Sequence, residues 1–269
     1  MSNRLVDGHF ARKRFGQNFL TDHNIIERIV SAFGPRPEQT VVEIGPGLGA
    51  LTQYLLPKLG RLQVVELDRD LAARLPETLA GMGELTIHEA DALKFDFSTI
   101  SPGPAGLRVI GNLPYNISTP LIFHLLEHAD SIADMHFMLQ KEVVDRMCAE
   151  PGSGDYGRLS VMLQYRCQVD FLFQVPPGAF SPPPKVDSAI VRLTPHPKKP
   201  YICADENLLQ QIVSTAFTMR RKTIRNALKA YAEAATLEAM GLDLSLRPEA
   251  LSVADYVHIA NVLSHERKH

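Results

Sequence analysis

Val41-Val42-Glu43-Ile44-Gly45-Pro46-Gly47-Leu48-Gly49 is a run of strand character that breaks directly into three glycines. The stretch Leu51 to Leu59 behind it has helical length and pattern. Glycines at a strand-to-helix turn let the backbone approach a ligand closely, and the helix start supplies N–H donors. The spacing is GxGxG, which departs from the GxGxxG that dinucleotide enzymes place around a pyrophosphate. The turn predicts a nucleoside cofactor and weighs against NAD. Glu66 closes the next strand, where an acid grips ribose hydroxyls. Asp91 ends the third strand and is placed to accept from an adenine amine. A tight turn using glycine for geometry alone would read similarly. Glu66, in Glu66-Leu67-Asp68-Arg69-Asp70, can also start the next helix by charge.

Outward from the turn, strands at 62–67, 85–87, 108–110 and 135–139 alternate with helices at 51–59, 71–79 and 120–126. This rhythm predicts an α/β fold with a parallel, doubly wound sheet. Upstream, Thr21 or Asp22 caps a helix carrying Ile25, Ile26, Ile29 and Val30, and Gly34-Pro35 and Pro37 end it. Gly16-Gln17-Asn18-Phe19-Leu20 reads as an ordered loop. Downstream, Pro151-Gly152-Ser153-Gly154-Asp155 is a loop and 159–166 a helix. The runs 169–175 and 189–193 can pair antiparallel around the Pro-rich loop 176–185. Thr194 to Pro200 reads as a linker, and the pattern beyond it is helical. The expected boundary lies near 195–204, dividing a domain 1–198 from a domain 199–269.

The 269 residues are 45% hydrophobic, ample for a real core. No apolar run approaches the roughly 18 residues of a membrane span. The N-terminus has no apolar signal region, and Cys148, Cys167 and Cys203 lack metal or disulfide spacing. A cytoplasmic protein without membrane contact is expected, with a monomer as the default. The net charge of −2 gives no global sign of nucleic acid. Local clusters do: Arg12-Lys13-Arg14 beside Phe10 and Phe15, and Arg220-Arg221-Lys222 with Arg225 and Lys229. Arg221, Arg225 and Lys229 fall at helical spacing and predict a basic stripe, with Phe217, Ile224 and Leu228 on another face. Such a stripe fits an RNA backbone or a solvated helix face. His124 and His128 are one turn apart, with no third metal ligand apparent, so no metal is expected.

Asn112-Leu113-Pro114-Tyr115 follows the buried run Val109-Ile110. An adenine amine is a poor nucleophile because its lone pair is delocalised into the ring. A sulfonium methyl is already a strong electrophile. An enzyme joining them must orient the nitrogen and accept its hydrogens. The Asn112 oxygen and the Leu113 or Pro114 carbonyl are suited to accept, Pro114 adds rigidity without a competing N–H, and Tyr115 offers a stacking face. With the glycine turn, this corner predicts methyl transfer from S-adenosylmethionine to adenine. Alone, it also reads as a turn with Tyr115 in the core. The stiff segment Phe180-Ser181-Pro182-Pro183-Pro184-Lys185-Val186-Asp187-Ser188 either sets Phe180 to sandwich an extruded base against Tyr115 or buries it in a hairpin excursion.

The chain resembles the KsgA family of bacterial small-subunit ribosomal RNA adenine dimethyltransferases. The likeness is carried by Ala11 to Leu20, Val42 to Leu48, Glu66-Leu67-Asp68, Gly111 to Asn116, Phe180 to Ser188 and Arg220-Arg221-Lys222-Thr223-Ile224-Arg225-Asn226. It implies a seven-stranded, mostly parallel, Rossmann-like methyltransferase sheet with a smaller C-terminal all-helical domain. It also implies two methylations on each of two adjacent adenosines near the 3′ end of 16S RNA, and a late role in small-subunit assembly. By that likeness Asn18, Leu20, Gly45, Gly47, Glu66, Asp91 and Asn112 contact the cofactor, and Asn112, Leu113, Pro114, Tyr115 and Phe180 form the adenine site. An Erm-type enzyme acting on large-subunit RNA shares the corner and the turn; the 220–226 segment and the Pro-rich loop favour the small subunit. A non-catalytic RNA-binding assembly factor of this fold would be marked by a decayed cofactor turn, which is intact here.

Overall fold

The computed structural model describes residues 5–6, 9–10 and 18–266. Its centre is a seven-stranded sheet: β1 Thr40–Ile44, β2 Arg61–Glu66, β3 Glu84–Glu89, β4 Leu107–Asn112, β5 Ile132–Gln140, β6 Cys167–Val175 and β7 Ser188–Pro195. The strand order is β3-β2-β1-β4-β5-β7-β6. Strands β1 to β5 pair in parallel, and β7 runs antiparallel to β5. Val41, Val42, Val64, Val109 and Phe137 are fully or almost fully buried, as strands covered on both faces require. From β1 the chain builds outward through β2 to β3, then returns to place β4 on the other flank of β1. That reversal opens a crevice beyond the carboxyl ends of β1 and β4.

Local chemistry sets the helices around the sheet. Asp22, not Thr21, caps α1 (His23–Phe33), accepting from the N–H groups of Asn24 and Ile25, and Gly34 ends the helix in left-handed conformation. The helices α2 (Thr52–Leu59), α3 (Arg69–Thr78) and α4 (Ser118–Glu127) follow β1, β2 and β4. Asp68 caps α3, so Glu66 is not needed for that purpose. Gly111 must be glycine: a Cβ there would lie 2.6 Å from the Ile44 carbonyl oxygen of β1.

The chain divides into two compact units. One takes the described residues up to Val144 together with Asp170–Pro195; the other takes Asp145–Val169 and the described residues from His196. The helical unit thus gathers the second half of α5 (Lys141–Cys148), which the sequence pattern did not suggest, and α6 (Arg158–Gln164) with the C-terminal helices. Tyr165 and Arg166 explain the grouping, because both donate to the Glu206 carboxylate, each at 3.1 Å. Among the described residues no helix is long and apolar enough to cross a membrane.

The basic stripe is not on one helix. Helix α7 (Glu206–Thr218) stops at Met219, and α8 spans only Ile224–Ala227. The N–H groups of Ile224 and Arg225 bond to the carbonyls of Leu246 and Leu244, so they cannot continue the α7 ladder. Arg220-Arg221-Lys222 therefore sits in the turn between helices. Ile224 and Leu228 are fully buried, as expected. The further helices are α9 (Ala234–Ala239) and α10 (Val253–Glu266).

Gly111→Ala should destabilise the fold by about 1–3 kcal/mol, because the added methyl meets backbone that cannot yield. Denaturant unfolding measures this, and a midpoint equal to wild type would reject the close-approach account.

Candidate active site

The crevice is a cavity of about 600 Å³ walled by five segments: 18–21, 43–48, 65–68, 90–92 and 112–117. Four of them are strand ends or the turns that follow, which is why residues distant in sequence meet there. Gly47 lies in left-handed backbone with φ 58, and a Cβ on it would press on the Phe19 ring at 3.3 Å. Glycine thus provides both the turn and the room for Phe19 to close one side.

Glu66 organises the floor. Its Oε2 accepts from the Gly47 N–H at 3.1 Å and its Oε1 from the Asp68 N–H at 2.8 Å. Burial raises its pKa, and those two N–H bonds oppose the rise. Glu43 is 2% exposed and accepts from the Thr52 hydroxyl at 2.7 Å. Its burial pushes the pKa up to about 8, reinforced by the charge of nearby Glu66 and opposed by the Thr52 bond. Asp91 completes the acidic lining, with Oδ1 accepting from the Leu93 N–H at 3.0 Å. A cavity holding Glu66, Asp68 and Asp91 on its wall is suited to a cationic ligand.

The opposite wall is the Asn-Leu-Pro-Tyr corner at the end of β4. Asn112 Nδ2 donates to the Asn18 carbonyl at 3.2 Å. That bond identifies the amide nitrogen and leaves the oxygen as the atom suited to accept. Leu113 is buried, and its N–H bonds to the Met138 carbonyl. The Tyr115 carbonyl accepts from Ser118 Oγ at 3.1 Å, and its hydroxyl lies 2.7 Å from Ser188 Oγ. Burial raises the Tyr115 pKa, so the phenol keeps its proton at neutral pH.

The family of ribosomal RNA adenine dimethylases matches residues 8–265 of this sequence. The chain belongs to the ribosomal RNA adenine dimethylase family. It is 58% identical over 260 residues to ribosomal RNA small subunit methyltransferase A of Pseudomonas fluorescens, an alignment covering 97% of this chain and 96% of that protein. Among solved structures it is similar to a dimethyladenosine transferase from Plasmodium falciparum, with TM-score 0.76 and 26% identity over 93% of this chain and 98% of the other. It is also similar to the 23S ribosomal RNA methyltransferase ErmE, with TM-score 0.72 and 29% identity over 92% of this chain and all of the other (100%). Adenine dimethyl transfer on ribosomal RNA is the activity of the family, and the sheet is the Rossmann-like methyltransferase sheet expected from the resemblance.

The cavity brings together Asn18, Leu20, Gly45, Gly47, Glu66, Asp91, Asn112, Leu113, Pro114 and Tyr115. Phe180 stands apart: it is 4% exposed, packs in the core, and is not on the cavity wall. It reaches the site through backbone, because Phe180–Ser181 pairs antiparallel with Phe19–Leu20. Arg12, Lys13 and Arg14 lie outside the described residues. Arg221, Lys222 and Arg225 are exposed in the helical unit, and Arg225 pairs with Glu238 at 2.6 Å. Arg220 is half-buried there, 3.9 Å from Glu249. Among the described residues no group of three His, Cys, Asp or Glu side chains could hold a metal ion.

Three residues at the site lie outside the expected set of contacts. Glu43 was visible as the one acid in an apolar strand. Leu67 is 52% exposed on the cavity wall, an apolar face open to a ligand ring. Ser188 is fully buried at the start of β7, and only its place after the Pro-rich loop drew notice.

The raised pKa of Glu43 carries a signed expectation. Its carboxyl stays protonated in the fold while the unfolded chain ionises above pH 4.5, so its contribution to stability is intact below that value and is lost as pH rises toward 8. Wild type should therefore lose several kcal/mol relative to Glu43→Gln between pH 5 and 8. Denaturant unfolding across that range checks this; parallel curves for the two proteins would mean that the carboxyl is ionised in the fold.

Proposed function

We propose that the enzyme transfers methyl groups from S-adenosylmethionine to the N6 amines of two adjacent adenosines near the 3′ end of small-subunit ribosomal RNA, two methyls to each. The observation that carries this reading is the shared cavity: the acidic glycine-turn wall and the Asn-Leu-Pro-Tyr corner face one space and are tied by the Asn112–Asn18 bond. The small-subunit assignment rests on the high identity to proteins named for that subunit over nearly the whole chain. Likeness to ErmE motivates the second reading, a large-subunit substrate.

The residues fit the cofactor. Glu66 and the Gly45–Gly47 backbone would take the ribose side, and Asp91 and the exposed Leu67 the adenine ring. Asn18 and Leu20 would close the cavity from the remaining side. When bound, S-adenosylmethionine supplies a methyl carbon on positively charged sulfur. Asn112 Oδ1 and the Leu113 or Pro114 carbonyl accept the hydrogens of the amine, turning its lone pair toward that carbon. Tyr115 stacks on the purine, and Phe180, through its strand pairing with Leu20, backs the pocket; stacking by Phe180 itself would need its ring to leave the core. These residues would hold the amine in line with the methyl that the cofactor supplies and leave the amine's proton open to solvent. No side-chain nucleophile is required.

Arg220, Arg221, Lys222 and Arg225, with the Arg12-Lys13-Arg14 arm, are the proposed RNA contacts. The immature small subunit is the proposed partner, met by a monomer in the cytoplasm late in assembly.

Incubating labelled cofactor with each purified, unmethylated subunit and mapping the modified bases tests the assignment; label confined to the large subunit would move the enzyme to the second reading. Asn112→Ala should lower turnover about 100-fold while subunit binding persists. Wild-type turnover would refute the acceptor role. Glu66→Ala should weaken cofactor binding by about 10-fold or more in calorimetry, as loss of a charged hydrogen-bond acceptor implies. Replacing Arg221 and Arg225 by Ala should weaken subunit binding and flatten its salt dependence. An unchanged slope would leave those arginines as solvated surface.

A further inference from the structure

We infer that Ser188 is a positioning residue for methyl transfer: its hydroxyl anchors the far end of the Tyr115 ring and so sets the plane on which the acceptor base lies. The inference rests on the reading that Tyr115 faces the acceptor adenine.

The Tyr115 side chain has two rotatable bonds between its backbone and its ring. The backbone end is fixed, because the Tyr115 carbonyl accepts from Ser118 Oγ at 3.1 Å and the Pro114 carbonyl accepts from the Ile117 N–H at 3.2 Å. The ring end is fixed by the 2.7 Å bond between the Tyr115 hydroxyl and Ser188 Oγ. With both ends held, the ring has one orientation while remaining half-buried on the cavity wall. Ser188 is itself immobile. It is fully buried and is the first residue of β7, paired with Gln140 of β5, while the neighbouring Asp187 carbonyl accepts from the Lys141 N–H at 2.9 Å.

The chemistry explains why a fixed ring matters. The amine nitrogen of adenine is coplanar with its base, so a tilt of the base swings the lone pair off the line of attack. The aromatic surface beneath the base sets that tilt, while Asn112 governs the hydrogens. A displacement of about 1 Å at a reacting centre can cost on the order of 100-fold in rate. The same bond links the acceptor corner to the end of the Pro-rich loop, because Ser188 is the residue at which that loop becomes strand. A side chain that merely filled space there would have no need of a hydroxyl.

The test is a double-mutant cycle read by single-turnover methylation of unmethylated small subunits, using wild type, Ser188→Ala, Tyr115→Phe and the double variant. Each single variant should lose about 10-fold or more in the transfer rate at saturating cofactor, with the dissociation constants for cofactor and subunit unchanged. The double variant should be no slower than the slower single variant, because both changes remove one bond. Multiplying losses in the double variant, a wild-type rate for Ser188→Ala, or a loss explained by weaker binding would each overturn the inference. Circular dichroism checks folding. Were Ser188→Ala not to fold, Tyr115→Phe removes the same bond from the other side, and a wild-type rate for it would overturn the inference alone. An active wild type with unimpaired variants refutes only the anchor, whereas a wild type that leaves adenine unmodified refutes the functional reading and the anchor with it.

Discussion

The whole site depends on the contact between two parallel strands. Ile44 of β1 lies in register with Gly111 of β4, and that glycine brings the strands close enough that no side chain fits between them. The glycine turn leaves the end of one strand and the Asn-Leu-Pro-Tyr corner leaves the end of the other. The acidic turn wall and the corner are therefore adjacent because their parent strands are. The separation of the two walls is set by a main-chain ladder, and the turns that follow the strands complete the cavity.

Electrostatics supply the second element. The fold spends stability on burying Glu43 beside Glu66, an arrangement that an apolar pair would improve. The protonated Glu43 carboxyl places no second charge beside Glu66, and the backbone N–H groups of Gly47 and Asp68 favour the ionised form of Glu66. The turn and the acid thus form one unit, with the glycine N–H serving the carboxylate that in turn holds the turn's shape.

Much of this was legible in the sequence. The alternation of apolar runs and helical patterns gave the parallel sheet because strands buried on both faces must be apolar throughout. Ten of the expected contact residues meet in one cavity, since all of them sit at strand ends or in the segment 18–21. What periodicity cannot show is where backbone donors go. The expected basic stripe assumed that α7 continued past Met219, and the carbonyls of Leu244 and Leu246 take the N–H groups it would have needed. Phe180 was visible as an aromatic in a stiff loop, but its burial depends on a two-residue strand pairing with Phe19–Leu20, a contact between segments far apart in the chain. Ser188 meets Tyr115 through one hydroxyl contact, and no pattern in the sequence encodes it.

The helical unit is made from two separate stretches, and the earlier one, Asp145–Val169, interrupts the chain of the sheet unit after β5. A stop codon after Pro195 would consequently not yield a clean catalytic fragment. It would leave Val161, Leu163 and Tyr165, each buried in the intact protein, without their cover. The chain cannot be pruned to its sheet by one cut, nor could a gene fusion at that point have assembled it in one event. The chain passes between the two units at three points, after Val144, Val169 and Pro195, so separating them takes three cuts.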